Sequence, residues 1–228
     1  MCSVKKLVVL LGLLATSCDM LMPQSRSDEF LARFEQKQLS DQDIAKNINS
    51  IDEVGQTPLY RATIAPEPDR ELIGQLIVAG ADPFVRQRND RYPIRAILSL
   101  GDAELFAAAA CAGSTETSRR FASIEGNSIF DRYSTIVHDT AVRGTADDIS
   151  SLSECGYALG DENELGQVPL VLAAGVNFET FHALLSLGAN PNAGSDTLPA
   201  ICARIARIRM NKAQEEYFRA LRNHGYEC

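Results

Sequence analysis

The residues best suited to recognition chemistry are arginines and aromatics that cluster between positions 119 and 133. Arginine offers carboxylates a planar fork of donors, and aromatic side chains bury large areas, so both types dominate binding hot spots. The cluster consists of Arg119, Arg120, Phe121, Phe130, Arg132 and Tyr133. It predicts a contact surface for another macromolecule. The alternative is that Phe121 and Phe130 only pack a long loop against the rest of the protein.

Catalytic residues do not occur in a recognisable arrangement. The sequence has no Gly-x-Ser-x-Gly, no glycine-rich phosphate loop followed by Lys-Ser/Thr, and no His-Glu-x-x-His. The three histidines, His138, His182 and His224, are far apart in the sequence and fit helical or helix-end positions. We therefore expect no enzymatic activity, no cofactor and no metal site.

The charge of the chain argues against one class of partner. The sequence contains 22 Lys and Arg against 30 Asp and Glu, which gives a net charge of −8. Loss of an N-terminal signal that contains Lys5 and Lys6 would leave 20 basic against 30 acidic residues, a net −10. Because proteins bind nucleic acid largely through its phosphates, we do not expect this acidic chain to bind nucleic acid.

The first residues have the pattern of a targeting signal. A basic start is followed by an apolar stretch, Leu7–Leu14, that is too short to span a bilayer. The Leu-Ala-Thr-Ser-Cys run that ends at Cys18 resembles a bacterial lipoprotein signal, in which the cysteine is acylated and becomes the first residue. The resemblance implies a signal peptide over 1–17, a palmitate-type lipid anchor on Cys18 and a polar tether over 18–26.

The residues around Cys18 bear on the location of the protein. Asp19 resembles the retention signal of inner-membrane lipoproteins, which implies attachment to the bacterial inner membrane, facing the periplasm. One alternative is an ordinary secretory signal cut near Ser17; we favour acylation because the cysteine falls at the end of the apolar stretch. Translation from Met20 or Met22 would add a minor cytosolic copy, although we favour an ordinary tether role for these two methionines.

A motif that returns along the chain predicts the fold. The versions are Thr57-Pro58-Leu59, Tyr92-Pro93-Ile94, Thr135-Ile136-Val137 and Val168-Pro169-Leu170. Equivalent positions are 35 residues apart from Pro58 to Pro93 and 33 apart from Ile136 to Pro169. The hydroxyl of Thr57 can cap a helix that begins at Pro58, where the missing N–H of proline has no cost. A second apolar helix follows and ends at a glycine (Gly80, Gly156, Gly188), which suits the left-handed position after a helix.

The motifs and their period resemble those of ankyrin-repeat proteins. The resemblance covers about 27–228 and implies an all-α ankyrin-repeat solenoid of about five helix-turn-helix repeats with short β-turn tips. The units are approximately 27–54, 55–89, 90–133, 134–165 and 166–193, with a C-terminal cap over 194–228. The connection from Gly113 to Thr135 is about ten residues longer than the usual tip and contains the arginine and aromatic cluster.

Four cysteines, which allow three pairings, remain after the signal and the anchor: Cys111, Cys155, Cys202 and Cys228. Cys111 and Cys155 fall near the ends of second helices in adjacent repeats. Since packed helices lie about 8–10 Å apart and a disulfide needs Cα atoms within about 7 Å, we expect these two to be small buried residues. Cys202 and Cys228 fall at the same end of the last helix pair, and we expect them to form a disulfide.

The resemblance also implies a function. Ankyrin-repeat proteins bind other proteins through their tips and first helices, so the charged tip residues Arg86, Arg88 and Arg91 are further candidates for partner binding. Small ankyrin lipoproteins with this layout resemble the immunity partners of phospholipase effectors delivered by type VI secretion. This likeness implies a protein, monomeric when free, that binds and neutralises such an effector. The alternative is a periplasmic scaffold or protective partner of an envelope enzyme.

Overall fold

The protein is built from helices that are connected by short turns. A computed structural model describes residues 25–89, 91–112, 135–163, 165–193 and 197–228. Within these ranges the secondary structure is helical, with twelve helices and no β-strand. The helices are α1 (Arg26–Glu35), α2 (Asp41–Asn47), α3 (Pro58–Thr63), α4 (Arg70–Val78), α5 (Pro93–Ser99), α6 (Ala103–Ala112), α7 (Ile136–Arg143), α8 (Ala146–Glu154), α9 (Pro169–Ala173), α10 (Phe178–Ser186), α11 (Thr197–Ile205) and α12 (Asn211–Asn223).

The helices alternate between two layers. The first helices of successive pairs (α1, α3, α5, α7, α9 and α11) contact one another in chain order, and so do the second helices from α4 to α12. From α3 onward, each first helix also contacts the second helix of its own pair. Each pair therefore packs only on its neighbours, and the all-α repeat solenoid that the sequence predicts is confirmed.

The core lies between the two layers. Its fully buried side chains come from first helices (Leu59, Ile94, Ile136, Leu170) and from second helices (Ile73, Leu76, Phe106, Ile149, Leu152, Phe181). Burying one such side chain contributes roughly 1.5–3 kcal/mol relative to leaving it in water. Because these residues repeat with the motif, the core runs the length of the stack and has no single centre.

Local signals start and stop the helices where the repeat pattern places them. The Thr57 hydroxyl accepts from the Tyr60 N–H at 3.3 Å, and the Thr135 hydroxyl caps α7 in the same way. Tyr92 and Val168 provide no side-chain cap, and α5 and α9 begin instead with a proline at the first position. This position suits proline because the N–H that it lacks would have had no partner in the helix.

The glycines that end the second helices have the backbone that the sequence predicts. Gly80, Gly156 and Gly188 have φ values of +96°, +83° and +87°. After α4, the N–H groups of Gly80 and Ala81 donate to carbonyls of the last helical turn at 3.0 and 2.9 Å. A residue with a Cβ would be strained in this conformation, so the glycine sets the direction in which the chain leaves the helix.

Hydrogen bonds join the tip of one unit to the next unit. The Thr57 N–H, at the start of α3, donates to Oε1 of Gln87 in the tip before α5 at 2.7 Å. Two units further on, Nε2 of His138 lies 3.0 Å from the carbonyl oxygen of Gln167. Nδ1 of the same ring lies 2.7 Å from the hydroxyl of Thr135. Since a carbonyl only accepts, Nε2 carries the proton, and His138 is the neutral tautomer that accepts from Thr135 at Nδ1.

A different set of contacts joins the units on either side of the long connection after α6. Tyr157 donates its hydroxyl to the Ala110 carbonyl at 2.9 Å, and Arg95 of α5 forms an ion pair with Asp139 of α7. Cys111 and Cys155 are joined in a disulfide, with Cα atoms 5.1 Å apart.

The expectation that Cys111 and Cys155 stay unpaired was wrong. The separation of 8–10 Å applies to helix axes, whereas each Cα lies about 2.3 Å from its own axis. Residues on facing sides can therefore approach to about 5 Å, which is within the range for a disulfide. Cys111 lies in the last turn of α6 and Cys155 immediately follows α8, and the helices carrying them pack side by side.

The cap contains the second pair of cysteines. Cys202 of α11 and Cys228 at the end of the chain have Cα atoms 5.7 Å apart and are disulfide-bonded in the structure. Both lie at one end of the α11–α12 hairpin, in the arrangement that the sequence favours. The bond closes a loop of 26 residues and holds the chain after α12 against α11.

We predict that acid weakens the stack through His138. Burial lowers the pKa of this side chain, and the contact with the Gln167 carbonyl only partly opposes that effect. The unfolded chain takes up a proton near pH 6.5 and the folded chain only at lower pH, so the free energy of unfolding should fall as pH drops below about 6.5. Between about pH 7.5 and 5.5, the free energy of unfolding measured with urea should fall less in His138→Gln than in the wild-type protein. An equal loss in the variant would contradict the prediction.

We predict that both cysteine pairs are bonded in protein taken from an oxidising compartment. Non-reducing peptide mapping should recover Cys111 with Cys155 and Cys202 with Cys228. Replacing both members of a pair by serine should lower the free energy of unfolding by roughly 3–4 kcal/mol, because the unfolded chain regains the entropy of an open loop. Recovery of the four residues as free thiols would contradict the prediction.

Candidate functional site

An open groove lies on the layer of first helices, between the ends of α3, α5 and α7. It has a volume of ≈ 590 Å³. Apolar and aromatic side chains of Tyr60, Ile64 and Tyr92 form part of its wall, and Arg91, Arg95 and Arg143 supply its charge. We call it the arginine groove. None of its lining residues that the structure describes carries a carboxylate, so these residues contribute a charge of +3, one unit of which is offset by the Asp139 carboxylate that pairs with Arg95.

The three arginines are held in different ways. Arg95 is largely buried, with 16% of its side chain exposed, and it pairs with the 8% exposed Asp139. Arg91 lies at the tip before α5, and Arg143 is the last residue of α7; both are exposed. The ion pair fixes Arg95 within the groove, while the two exposed arginines border it.

A second groove of ≈ 460 Å³ adjoins the first and has the opposite charge. We call it the acidic groove; it lies between α1, α3 and the start of α4. It is lined by the carboxylates of Asp28, Glu35, Glu67 and Asp69 and by a single arginine, Arg61. The two grooves share Ile64, whose exposed fraction of 41% is large for an apolar residue.

One carboxylate of the acidic groove is firmly paired. Arg61 donates to both oxygens of Asp28, at 2.7 and 3.2 Å. Burial by itself would raise the pKa of Asp28, but the hydrogen bonds from Arg61 and Ser25 outweigh burial and lower it. The hydrogen bond to Asp28 in turn raises the pKa of Arg61. Asp28 and Arg61 therefore stay ionised, and Glu35, Glu67 and Asp69 set the negative sign of the groove.

The tip arginines predicted from the sequence lie in three settings. Arg86 is exposed on the tip, and Arg91 borders the arginine groove. Arg88 donates to the Glu53 carbonyl at 2.9 Å, and its backbone N–H donates to the Gly55 carbonyl at 2.9 Å. A Cβ on Gly55 would lie 2.3 Å from the Cβ of Arg88, so this close approach requires glycine. Arg88 thus joins adjacent tips, while Arg86 and Arg91 stay candidates for binding.

Other sequence-predicted residues lie outside the described ranges. These are Cys18 and the cluster of Arg119, Arg120, Phe121, Phe130, Arg132 and Tyr133. Sequence reasoning missed Arg95 and Arg143 as binding candidates. Arg95 had a detectable signal, because it occupies the motif position that His138 occupies one unit later.

Within the residues that the structure describes, no group of three or more His, Cys, Asp or Glu side chains could hold a metal ion. None of the helices there is both long and apolar enough to cross a bilayer.

The fold is similar to that of solved ankyrin-repeat proteins. The ankyrin-repeat protein EF0377 is 18% identical with a TM-score of 0.60, over 86% of this chain and 96% of that one. The ankyrin repeat domain of Bcl-3, a member of the IkappaB protein family, is 19% identical with a TM-score of 0.58, over 87% and 80%. An ankyrin repeat domain from Acinetobacter baumannii AYE is 20% identical with a TM-score of 0.57, over 85% and 94%.

At these identities the likeness establishes the fold. No protein-family model matches the chain, and no curated protein matches it by sequence. The chain therefore has the ankyrin-repeat fold.

We predict that the ion pair at the floor of the arginine groove stabilises the stack. Asp139→Asn leaves the Arg95 guanidinium buried without its carboxylate, which should cost about 3 kcal/mol or more. The matched control is Glu215→Gln, which breaks the Arg222–Glu215 pair, where both side chains are about half exposed. That change should cost less than about 1 kcal/mol. If both variants lost the same free energy of unfolding in urea, the buried ion pair would contribute no more to stability than the exposed one, and the prediction would be wrong.

Proposed function

We propose that this protein is a periplasm-facing ankyrin lipoprotein that binds a secreted antibacterial effector of the phospholipase type and neutralises it by occlusion. The arginine groove carries the proposal. It is open, it lies on the layer of first helices, and it combines the fixed guanidinium of Arg95 with the exposed guanidinium groups of Arg91 and Arg143 and an exposed Ile64. Arginine is among the residues that are enriched at the hot spots of protein–protein contacts.

The size of the repeat stack suits an inhibitor. Stable protein–protein interfaces bury about 1,200–2,000 Å² in total, which requires some 20–30 residues from each partner. A stack of helix pairs provides such an area along one continuous layer, and neighbouring pairs hold each part of the layer in place. A rigid surface loses little conformational freedom on binding, which favours the tight, slowly reversed complex that neutralisation requires.

The envelope location is part of the proposal. It rests on the lipoprotein-like signal that ends at Cys18 and on Asp19, which favours the inner membrane. The two disulfides in the structure support an oxidising compartment, where such bonds form and persist. The phospholipase class of the effector rests on the likeness in layout to immunity lipoproteins and on no individual residue.

We predict stoichiometric inhibition. Titrating the purified mature protein into the effector encoded beside its gene should reduce phospholipase activity in proportion to the protein added, to completion at about one equivalent. The assay uses a soluble short-chain phospholipid as substrate, so that the protein cannot lower the activity by competing with the effector for a lipid surface. Leu170→Asp places a charge at a fully buried core position and should abolish both folding and inhibition.

Expression in cells tests the location and the alternative function. Cells that express the full chain should survive the effector and should attach a fatty-acid analogue to the protein, whereas Cys18→Ala should lose the label. Absence of protection together with absence of a complex with the neighbour-encoded effector would overturn the immunity function. Capture of an envelope enzyme whose activity rises in the complex would instead establish the scaffold function.

A further inference from the structure

The two grooves on the first-helix layer form a polarised surface. Three guanidinium groups line the arginine groove, whereas the acidic groove has four carboxylates and one guanidinium, a local charge of −3. The grooves meet at Ile64, which presents an apolar side chain between regions of opposite sign. A ligand that satisfies both grooves must therefore carry both signs in a fixed order, with an apolar group between them.

Charge complementarity favours a protein segment as this ligand. Guanidinium groups also bind phosphate, so the arginine groove alone would suit an anionic lipid headgroup. A bilayer that presents many such headgroups would also face the adjoining carboxylates on a chain whose net charge is −8. Like charges at close range are unfavourable, whereas a polypeptide can alternate its charges from one residue to the next.

We infer that the partner docks through an extended segment whose carboxylates enter the arginine groove and whose next basic side chain enters the acidic groove beyond Ile64. This inference rests on the proposed function only in taking the partner to be a protein. The Asp139 carboxylate keeps the Arg95 guanidinium in place before the partner arrives, so little side-chain freedom is lost at the centre of the groove. Arg91 and Arg143 border the groove and complete the recognition of carboxylates.

The acidic groove determines the direction of the bound segment. Arg61 already neutralises Asp28 through two hydrogen bonds, while Glu35, Glu67 and Asp69 retain a negative field. A lysine or arginine of the partner would pair with this field, and a reversed segment would place like charges together in both grooves. Such repulsion distinguishes partners more sharply than attraction alone.

The test compares two double charge reversals of the same size. Arg91→Glu with Arg143→Glu changes the arginine groove, whereas Arg209→Glu with Arg219→Glu changes exposed positions in the C-terminal cap. Arg91→Gln with Arg143→Gln removes the charge without reversing it, in case a new carboxylate at the end of α7 disturbs that helix. Circular dichroism and urea unfolding establish that each variant is folded before binding is measured.

Two probes separate this inference from the proposed function. The first is the neighbour-encoded effector; the second is a fluorescent peptide with an acidic run, an isoleucine and a basic run, beside a peptide with the same residues in reverse order. We expect the groove variants to weaken binding of both effector and peptide on the order of tenfold or more, and the cap variants to leave it within about twofold. The reversed peptide should bind more weakly than the forward one, and added salt should weaken both.

The outcomes are distinct. If wild-type protein does not bind the effector but binds the forward peptide through the groove arginines, the immunity function fails and the inference stands. Equal weakening by groove and cap variants would overturn the inference, because it would show an effect of bulk charge. Groove-dependent binding to phosphatidylglycerol vesicles, with peptide binding unchanged in the groove variants, would overturn it in favour of a lipid headgroup.

Discussion

The structure depends on the contact between each helix pair and its neighbours. A pair of short helices cannot bury its own apolar face, so residues such as Leu59 and Leu76 leave water only because the next pair covers them. Hydrogen bonds from the tips reinforce this contact, as from Thr57 to Gln87 and from His138 to Gln167. The long connection after α6 separates two units that must still pack together. There the disulfide, the Tyr157–Ala110 hydrogen bond and the Arg95–Asp139 ion pair join them.

The arginine groove follows from the same constraint. Arg95 and His138 occupy the same position in successive motifs, and each reaches a residue of the following unit, Asp139 or the Gln167 carbonyl. In one unit this position carries a neutral imidazole buried by its neighbours, and in the other a charged guanidinium that needs a carboxylate. The groove is thus placed at a contact between units, and a change that disturbs its floor also disturbs the stack. Arg91 and Arg143 on its border are exposed, in contrast to the buried Arg95 at its floor.

Most of the fold could be predicted from the sequence because its signals are local. Thr57 and Pro58 start a helix and Gly80 ends one through contacts within a few residues, and their regular spacing implies the stack. Long-range geometry was harder to predict. The sequence indicates that Cys111 and Cys155 lie near the ends of adjacent helices. Their bond was missed because the separation of two helix axes is larger than the separation of Cα atoms on their facing sides. It also missed the arginine groove, because Arg91 and Arg143 are distant in sequence and come together only through the order of stacking.

The two disulfides make the stability of the protein depend on the redox conditions of its compartment, and any copy in the cytosol would lack their contribution. A chain begun at Met20 or Met22 would contain every helix that the structure describes, but reducing conditions would leave both cysteine pairs open. Opening Cys202–Cys228 releases the terminus from the cap, while opening Cys111–Cys155 removes one of the links between the α5–α6 and α7–α8 pairs. Because a repeat stack is stabilised by interfaces between neighbours, a weak internal junction divides it into two cooperative blocks more readily than a weak cap does. The oxidised chain is therefore the form in which the stack is best held together.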